Sequence, residues 1–306
     1  MADAISGIEP MGIRPQFKRI KPYLEFYRRG FDEPEYQRKL ADLQRYAAEG
    51  PGFVIDEELE LHFNFGSASL EMVGVYAVMR WSAVQDALGG GTQWRIQWQR
   101  STAYGYWAYR MQFELENALR SFKKIADNVA DCLILGWQDW AIGLARQTYR
   151  GLDQDAFFFD NRDNIHPRTQ AFVLRLIADW QGWPQRDWHA WVFDEPIFNA
   201  LIEHWRTPDP NVLRPLLSAA CDRHTHESKP GTSASGDDIG DVAFWYDPFE
   251  VLIVMKLRQL LGLENPVVDH LLMNTPLGKL PEPVPPYSDA LLEGVIARGR
   301  LEYPDF

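Results

Sequence analysis

The sequence contains few cysteines and no long apolar run. Only two cysteines, Cys132 and Cys221, occur among 306 residues, which is too few for a disulfide framework and favours a reduced, cytoplasmic chain. The longest apolar stretches, such as MVGVYAVM, fall far short of the roughly 20 residues that cross a bilayer. The N-terminal segment also lacks the apolar core of a secretory signal. We therefore expect a protein without a membrane partner.

Basic charge is also scarce. The chain has 31 Lys and Arg against 43 Asp and Glu, a net charge of −12. We therefore predict no nucleic-acid partner, because phosphate binding needs a basic face. The deficit lies in the second half: residues 1–153 carry 18 basic and 20 acidic side chains, whereas residues 154–306 carry 13 and 23. We expect an N-terminal half, 1–153, and an acidic C-terminal half, 154–306, within one compact unit.

Familiar catalytic and cofactor motifs are missing as well. The sequence has no GxSxG, no GxGxxG and no phosphate-binding loop. Gly89, Gly90 and Gly91 follow a helical pattern, where they indicate a helix end and not a phosphate site. We accordingly predict no cofactor and no catalytic residue.

Helical periodicity is what the sequence does have. Between Ser67 and Leu88, for example, Leu70, Val73 and Ala77 recur at three- and four-residue steps. Similar patterns, with caps and breakers between them, continue along most of the chain and show no fixed repeat. They predict an all-α, irregular bundle of about ten helices.

Several helix boundaries can be predicted more closely. Asp127 is placed to cap an apolar helix in the middle of the bundle, and Ser288 to cap the last helix. The segment VIDEELELHFNF, residues 54–65, alternates weakly and could be a short strand. We interpret it as an irregular connection, because no partner strand with turn chemistry follows.

The tryptophans fall in pairs at helical spacing. Of the 12 in the chain, eight form such pairs: Trp94 and Trp98, Trp137 and Trp140, Trp180 and Trp183, Trp188 and Trp191. Core packing is the default role of so large a ring. Trp188 and Trp191 lie in a loop-like segment and are candidates for partner binding, since tryptophan is enriched at interface hot spots. A structural adaptor that docks another helix through exposed tryptophans is one hypothesis.

Acidic residues are concentrated between residues 222 and 250. Seven acids stand there against Arg223 and Lys229, around a loop rich in Gly and Ser: Asp222, Glu227, Asp237, Asp238, Asp241, Asp247 and Glu250. An acidic face beside a loop could attract a basic protein partner. We predict Asp222, Glu227, Asp237, Asp238 and Asp241 as contact residues; solubility alone is the alternative explanation.

Two groups of residues could instead hold a metal. His224 and His226 with Asp237 or Asp238 would suit a metal-dependent helical hydrolase, provided that the helix unwinds at Arg223, because residues two apart on a helix diverge. Without that unwinding, the histidines simply lie near a helix C-terminus. Asp127 and Asp131, four apart, could present two carboxylates to Mg²⁺, but no second acidic motif accompanies them. We therefore predict no bound metal.

One segment resembles a known family. From Phe244 to His270 an aromatic pair precedes Phe-Glu, a helical pattern follows, and Gly-Leu with an acidic residue ends it. The matching residues are Trp245, Tyr246, Phe249, Glu250, Lys256, Leu257, Gly262, Leu263, Glu264 and His270. This order is similar to that in the C-terminal domain of PoNi-type immunity proteins, which neutralise interbacterial PoNe nuclease toxins. The resemblance implies an all-α cytoplasmic protein, associated with type VI secretion, that occludes a toxin's active site.

Overall fold

The computed structural model describes residues 10–15, 17, 25, 33–116, 118, 120–154, 156–157, 167–184, 186–188, 192, 195–229, 238–304 and 306. This part of the chain is an irregular all-α bundle, as predicted. Its ten α-helices are α1 (Glu33–Glu49), α2 (Phe65–Leu88), α3 (Trp94–Glu114), α4 (Phe122–Ile134), α5 (Gln138–Gly151), α6 (Arg168–Gln181), α7 (Pro196–His204), α8 (Pro210–Glu227), α9 (Phe249–Leu260) and α10 (Ala290–Glu302). A two-stranded sheet, β1 (Val54–Asp56) and β2 (Leu61–His62), lies between α1 and α2.

Helix α4 occupies the centre of the bundle. It packs against α3, α5, α6 and α9, and only Lys123 and Lys124 among its residues are not buried. The predicted central apolar helix is therefore present, but it begins at Phe122 and ends at Ile134. Gly136 then adopts a φ of +90°, a conformation that glycine takes without steric cost, and α5 starts a new direction.

The remaining helices are arranged around α4. On one side, α2 pairs with α3, and α1 packs against both α2 and α10. On the other side, α6 contacts α7 and α9, and α8 contacts α7 and α9. Because α6 and α9 from the second half pack on α4 from the first, both halves contribute to one hydrophobic core.

Two predicted caps were wrong. Ser121, not Asp127, caps α4: its hydroxyl accepts from the Lys124 N–H, and Asp127 lies inside the helix. The buried residues Phe122 and Ile125 already belong to the apolar face of α4, which starts earlier than a cap at Asp127 requires. Asp289, not Ser288, caps α10 by accepting from the Leu292 N–H at 2.9 Å.

The triple glycine behaves as predicted, since α2 ends at Leu88 and Gly90 has a φ of +80°. No helix in the described part of the chain has the length and apolarity needed to cross a membrane.

Candidate functional site

The structure divides the five predicted contact acids between interior and surface. Asp222 and Asp238 are buried, with 7% and 3% of their surface exposed. Glu227 is half-buried and Asp241 is exposed, while Asp237 lies outside the described residues. The expected acidic face therefore does not include Asp222 and Asp238 as exposed charges.

Asp238 is buried because it stabilises both a helix end and a buried arginine. Its carboxylate accepts from the backbone N–H of Thr169 at 3.0 Å, so it caps α6, which has no side-chain cap of its own. The same oxygen, Oδ2, lies 2.7 Å from Nη2 of Arg223, and Nε of Arg223 lies 2.7 Å from Oε2 of Glu195. Loss of Arg223 would leave the buried Asp238 carboxylate without a cation, whereas loss of Glu195 would leave Arg223 paired with Asp238.

Asp222, which precedes Arg223 on α8, has a different set of partners. Its Oδ2 accepts from the backbone N–H of Gly12 at 3.0 Å, and its Oδ1 lies 3.3 Å from Nε2 of His270. Burial lowers the pKa of His270, although Asp222 opposes that shift. The His270 Nδ1 accepts from the Leu272 N–H, so the neutral ring presents its Nε2–H towards Asp222.

Two further acids of the 222–250 cluster are fully buried. Asp247 contacts Nη2 of Arg80, which also lies 3.3 Å from Oδ1 of Asp131, and Glu250 pairs with His224. Four of the seven acids, Asp222, Asp238, Asp247 and Glu250, are therefore buried beside basic or imidazole side chains. The local excess of acid that the sequence shows is largely the counter-charge of an interior network.

His224 and His226 are not arranged to bind one metal ion. Helix α8 remains regular to Glu227, so the unwinding at Arg223 that a shared metal would require does not occur. His224 faces Glu250 and the carbonyl of Phe244, whereas His226 contacts the carbonyl of Gly12. Among the described residues no group of three or more His, Cys, Asp or Glu side chains could hold a metal ion.

Asp127 and Asp131 also have separate partners. Asp127 accepts from Nε2 of Gln170 at 2.9 Å, and Asp131 accepts from Nε1 of Trp98 at 2.9 Å. Burial raises the pKa of Asp127 to about 8 and that of Asp131 to about 7, the latter opposed by Arg80. Shifts of this size occur at functional sites as well as in structural networks.

The described tryptophans belong mainly to the core. Trp94 and Trp98 stack at 6.1 Å, and Trp137 meets Trp140 edge to face at 5.2 Å. Trp188 has 7% of its surface exposed and packs on Tyr149, while Trp191 lies outside the described residues. None of the tryptophans that the structure describes is exposed, which counts against an adaptor that docks through exposed tryptophans.

A different surface was missed by the sequence reasoning. The interpretation of residues 54–65 as an irregular connection was wrong, because β1 pairs with β2 in an antiparallel hairpin, residues 54–62, which we call the acidic hairpin. A β-bulge between Val54 and Asp56 and a positive φ of 51° at Glu60 close the turn. The turn contains no glycine, asparagine or proline, and its one usual turn residue is Asp56, whose Oδ1 accepts a hydrogen bond from the Leu59 N–H at 2.9 Å.

The acidic hairpin is fixed at its base. Phe63 donates its N–H to the Phe53 carbonyl at 2.8 Å, and the two rings stack at 4.7 Å. Phe63 also packs against Tyr46 of α1, and the guanidinium of Arg45 lies 4.2 Å above the Phe53 ring. The strands therefore project from a packed aromatic anchor.

The tip of the acidic hairpin exposes apolar and acidic side chains together. The exposed apolar residues are Val54, Ile55, Leu59 and Leu61, with 44%, 43%, 67% and 48% of their surface accessible. Glu57, Glu58 and Glu60 are exposed beside them. These three carboxylates form no ion pair with another described residue, so within the described structure the hairpin presents apolar surface beside three unpaired negative charges.

Comparison of the chain with protein-family models, with curated proteins and with solved structures found no match. The resemblance to PoNi-type immunity proteins accordingly remains a prediction from the sequence.

Proposed function

We propose that the protein is an immunity-type inhibitor, acting in the cytoplasm, that binds a cognate interbacterial toxin and blocks its active site. The observation that carries this proposal is the acidic hairpin. Its four exposed apolar side chains, Val54, Ile55, Leu59 and Leu61, make it the densest exposed apolar segment of the described chain. Contiguous exposed apolar surface on a soluble protein commonly marks a binding site.

The charge of the acidic hairpin selects the kind of partner. Glu57, Glu58 and Glu60 would repel a second acidic copy of this chain but attract a basic protein. A nuclease-type toxin has a basic groove for phosphates, and carboxylates on a projecting hairpin could occupy that groove. The exposed apolar side chains would then provide the buried part of the contact. In this proposal the chain inhibits by binding and catalyses no reaction.

Surface acids of the second half provide a second contact in this proposal. Asp241 is exposed and Glu227 half-buried, so both are accessible to a basic partner. Asp222 and Asp238 instead hold the fold together, and their replacement would act on stability before it acted on binding. This division can be tested separately from the hairpin.

The experiment is a binding measurement with the toxin domain encoded by the neighbouring gene. We expect E57K/E58K/E60K to slow association by at least about 10-fold at low ionic strength and to flatten the dependence of affinity on salt. Ile55→Ser with Leu59→Ser should mainly speed dissociation. The matched control is E116K/E203K/E264K, which reverses three exposed carboxylates elsewhere and should bind like the wild type.

Unchanged affinity and salt dependence in the hairpin variant would exclude the hairpin as the contact. If D241K/E227K alone abolished binding, the contact would lie at the second acidic surface instead. Failure of the wild-type protein to bind the toxin at all would overturn the proposed function.

A further inference from the structure

Five charged side chains from α2, α4, α8 and the start of α9 meet in the interior of the bundle. They are Arg80, Asp131, His224, Asp247 and Glu250, which we call the charged core, and each has at most 1% of its surface exposed. Arg80 and Asp131 belong to the first half of the chain and the other three to the second. The charged core therefore lies at a contact between the two halves.

Arg80 contacts two carboxylates through a single nitrogen. Oδ1 of Asp131 lies 3.3 Å from its Nη2, and Oδ2 of Asp247 contacts the same atom. Its Nε and Nη1 have no hydrogen-bond partner among the described residues. A guanidinium that neutralises one carboxylate usually does so through two parallel N–H donors. Here one positive charge is divided between two acids.

His224 and Glu250 form a pair that is neutral overall. Nδ1 of the ring lies 2.8 Å from Oε1 of Glu250, and Nε2 lies 3.0 Å from the Phe244 carbonyl. Since both nitrogens face acceptors, both carry protons and the ring is a cation. Its charge is matched by the Glu250 carboxylate. Asp247 is within electrostatic reach of both members of this pair, but the pair has no net positive charge to offer it.

The charges of the charged core do not balance when every carboxyl is ionised. Arg80 and His224 supply two positive charges, whereas the three acids supply three negative ones. Each acid also has one oxygen that accepts no hydrogen bond from the described residues: Oδ2 of Asp131, Oδ1 of Asp247 and Oε2 of Glu250. An unbalanced charge away from water is costly, and two carboxylates that share a site commonly retain one proton.

We propose that Asp131 and Asp247 hold one proton between them at neutral pH, and that release of this proton loosens residues 242–247 from α2 and α4. The proton makes the charged core neutral and converts one carboxyl into an O–H donor. Its loss leaves a negative charge between α2, α4 and the segment that leads into α9. The bundle thereby contains a pH-sensitive contact. This inference does not rest on the proposed toxin partner.

The groups around this pair of acids are compatible with a shared proton. Burial raises the pKa of both carboxyls, that of Asp131 to about 7, although Arg80 opposes the shift. The other titratable side chains that face them are Tyr76 on α2, Tyr109 on α3, Asp127 and Cys132 on α4, His224 on α8 and Glu250 on α9. Burial raises the pKa of the two tyrosines and the cysteine, so these remain neutral. Asp127 and His224 also have a raised pKa and must be distinguished in the test.

The sign of the pH dependence follows from the raised pKa. The folded pair keeps a proton that an aspartate in the unfolded chain releases near about pH 4. Its contribution to stability is therefore fully present below that pH and is lost as pH rises to about 7. Opening of residues 242–247 should become easier by up to about 10-fold per pH unit in this range, and should change little above it.

The first measurement detects the proton in the wild-type full chain. Aspartate labelled with ¹³C at the side-chain carboxyl is followed by NMR between pH 4 and 9, with each signal assigned through its backbone connections. We expect the Asp131 and Asp247 signals to titrate together as a coupled pair, with one step near pH 7. Asp127→Asn removes the signal of the neighbouring acid and should leave that step in place. If both carboxyls were already ionised at pH 5, the proposal would be overturned.

The second measurement detects the loosening. Amide exchange at Asp247, whose N–H pairs with the Phe244 carbonyl at 3.0 Å, reports opening of the segment. Its protection, corrected for the intrinsic exchange rate, should fall by up to about 10-fold per pH unit between pH 5 and 7. Asp131→Asn keeps an acceptor for the Trp98 N–H and should lose this decrease, whereas Asp139→Asn, at an exposed acid of α5, should retain it.

The two measurements separate the parts of the proposal. An equal pH dependence of protection in the wild type and in Asp131→Asn would overturn the loosening. Because the carboxyl titration is read in the wild type, the proton remains testable even if Asp131→Asn does not fold.

Discussion

His224 and Glu250 form a fully buried pair in which Nδ1 lies 2.8 Å from Oε1. The other ring nitrogen, Nε2, lies 3.0 Å from the Phe244 carbonyl. Because both nitrogens face acceptors, both carry protons and the ring is an imidazolium. Burial lowers the pKa of His224, but Glu250, Asp247 and the Phe244 carbonyl outweigh it, so the net pKa is raised. The histidine is a structural cation within the bundle.

Replacement of His224 should therefore destabilise the fold. Removal of one member of a buried pair typically costs about 3 to 5 kcal/mol, because the remaining charge is left without a partner. We expect His224→Gln to lower the free energy of unfolding by this amount in urea at pH 6. His226→Gln, which alters a half-buried residue, should change it by less than about 0.5 kcal/mol. Equal effects of the two substitutions would contradict the assigned role.

The same pair predicts a pH dependence with a definite sign. The pKa of His224 is higher in the folded state than in the unfolded state, so its contribution is fully present below pH 6.5 and is lost as pH rises through the folded value. The free energy of unfolding of the wild type should fall as pH rises through the folded pKa of His224, whereas that of His224→Gln should not show this decrease. Urea unfolding between pH 5 and 9 measures the difference.

Arg80 holds two buried carboxylates, Asp131 and Asp247, in place. Arg80→Met should leave them facing each other without a cation and destabilise the protein by about 3 to 5 kcal/mol. Adding Asp131→Asn and Asp247→Asn to this variant should restore part of the loss, because the repulsion disappears. Arg95→Met, at an exposed arginine, is the control. Thermal unfolding that shows no recovery in the triple variant would argue against electrostatic pairing as the cause.

Asp127 should make the free energy of unfolding fall as pH rises, whereas an acid whose pKa is lowered on folding makes it rise. Its pKa of about 8 exceeds the unfolded value, so the neutral carboxyl stabilises the fold at low pH and this contribution falls between about pH 4 and 8. The expected slope is at most about 1.4 kcal/mol per pH unit. Asp127→Asn should remove it and be more stable than the wild type at pH 8. If Asp127→Asn had the same pH dependence of unfolding as the wild type, the pKa of the Asp127 carboxyl would not be raised on folding.

Glu60 offers a test of the acidic hairpin that does not need a partner. A non-glycine residue in the left-handed region costs about 1 to 2 kcal/mol, and Glu60 has a φ of 51°. Glu60→Gly should therefore slow amide exchange at Phe63, whose N–H pairs with the Phe53 carbonyl. Glu58→Gly, at a residue whose φ is not positive, should speed that exchange. Faster exchange in both variants would mean that the turn is not strained.

The fold class could be predicted because its signals are local. Apolar residues at helical spacing, the triple glycine after Leu88 and the paired tryptophans all act within a few residues of chain. The predicted caps Asp127 and Ser288 differ from the observed caps Ser121 and Asp289 by six residues and by one residue, since several polar side chains near each helix start could fill that role. Phe122 is buried at the start of α4, so the helix begins there and its cap is Ser121.

The site could be predicted only in part because burial is not local. Asp222, Asp238, Asp247 and Glu250 look like a surface cluster in sequence, but their partners Arg80, Arg223, His224 and His270 include residues that are distant along the chain or on the far side of a helix. The acidic hairpin was missed for a local reason. Its turn uses Glu60 in a conformation for which sequence rules expect Gly or Asn.

The most direct test of the central claim is growth rescue from the toxin encoded by the adjacent gene. Co-expression of the wild-type protein should restore growth, E57K/E58K/E60K should fail to do so at equal protein level, and E116K/E203K/E264K should restore it fully. Rescue by the hairpin variant equal to that by the wild type would contradict the role of the hairpin. Absence of rescue by the wild type would contradict the function itself.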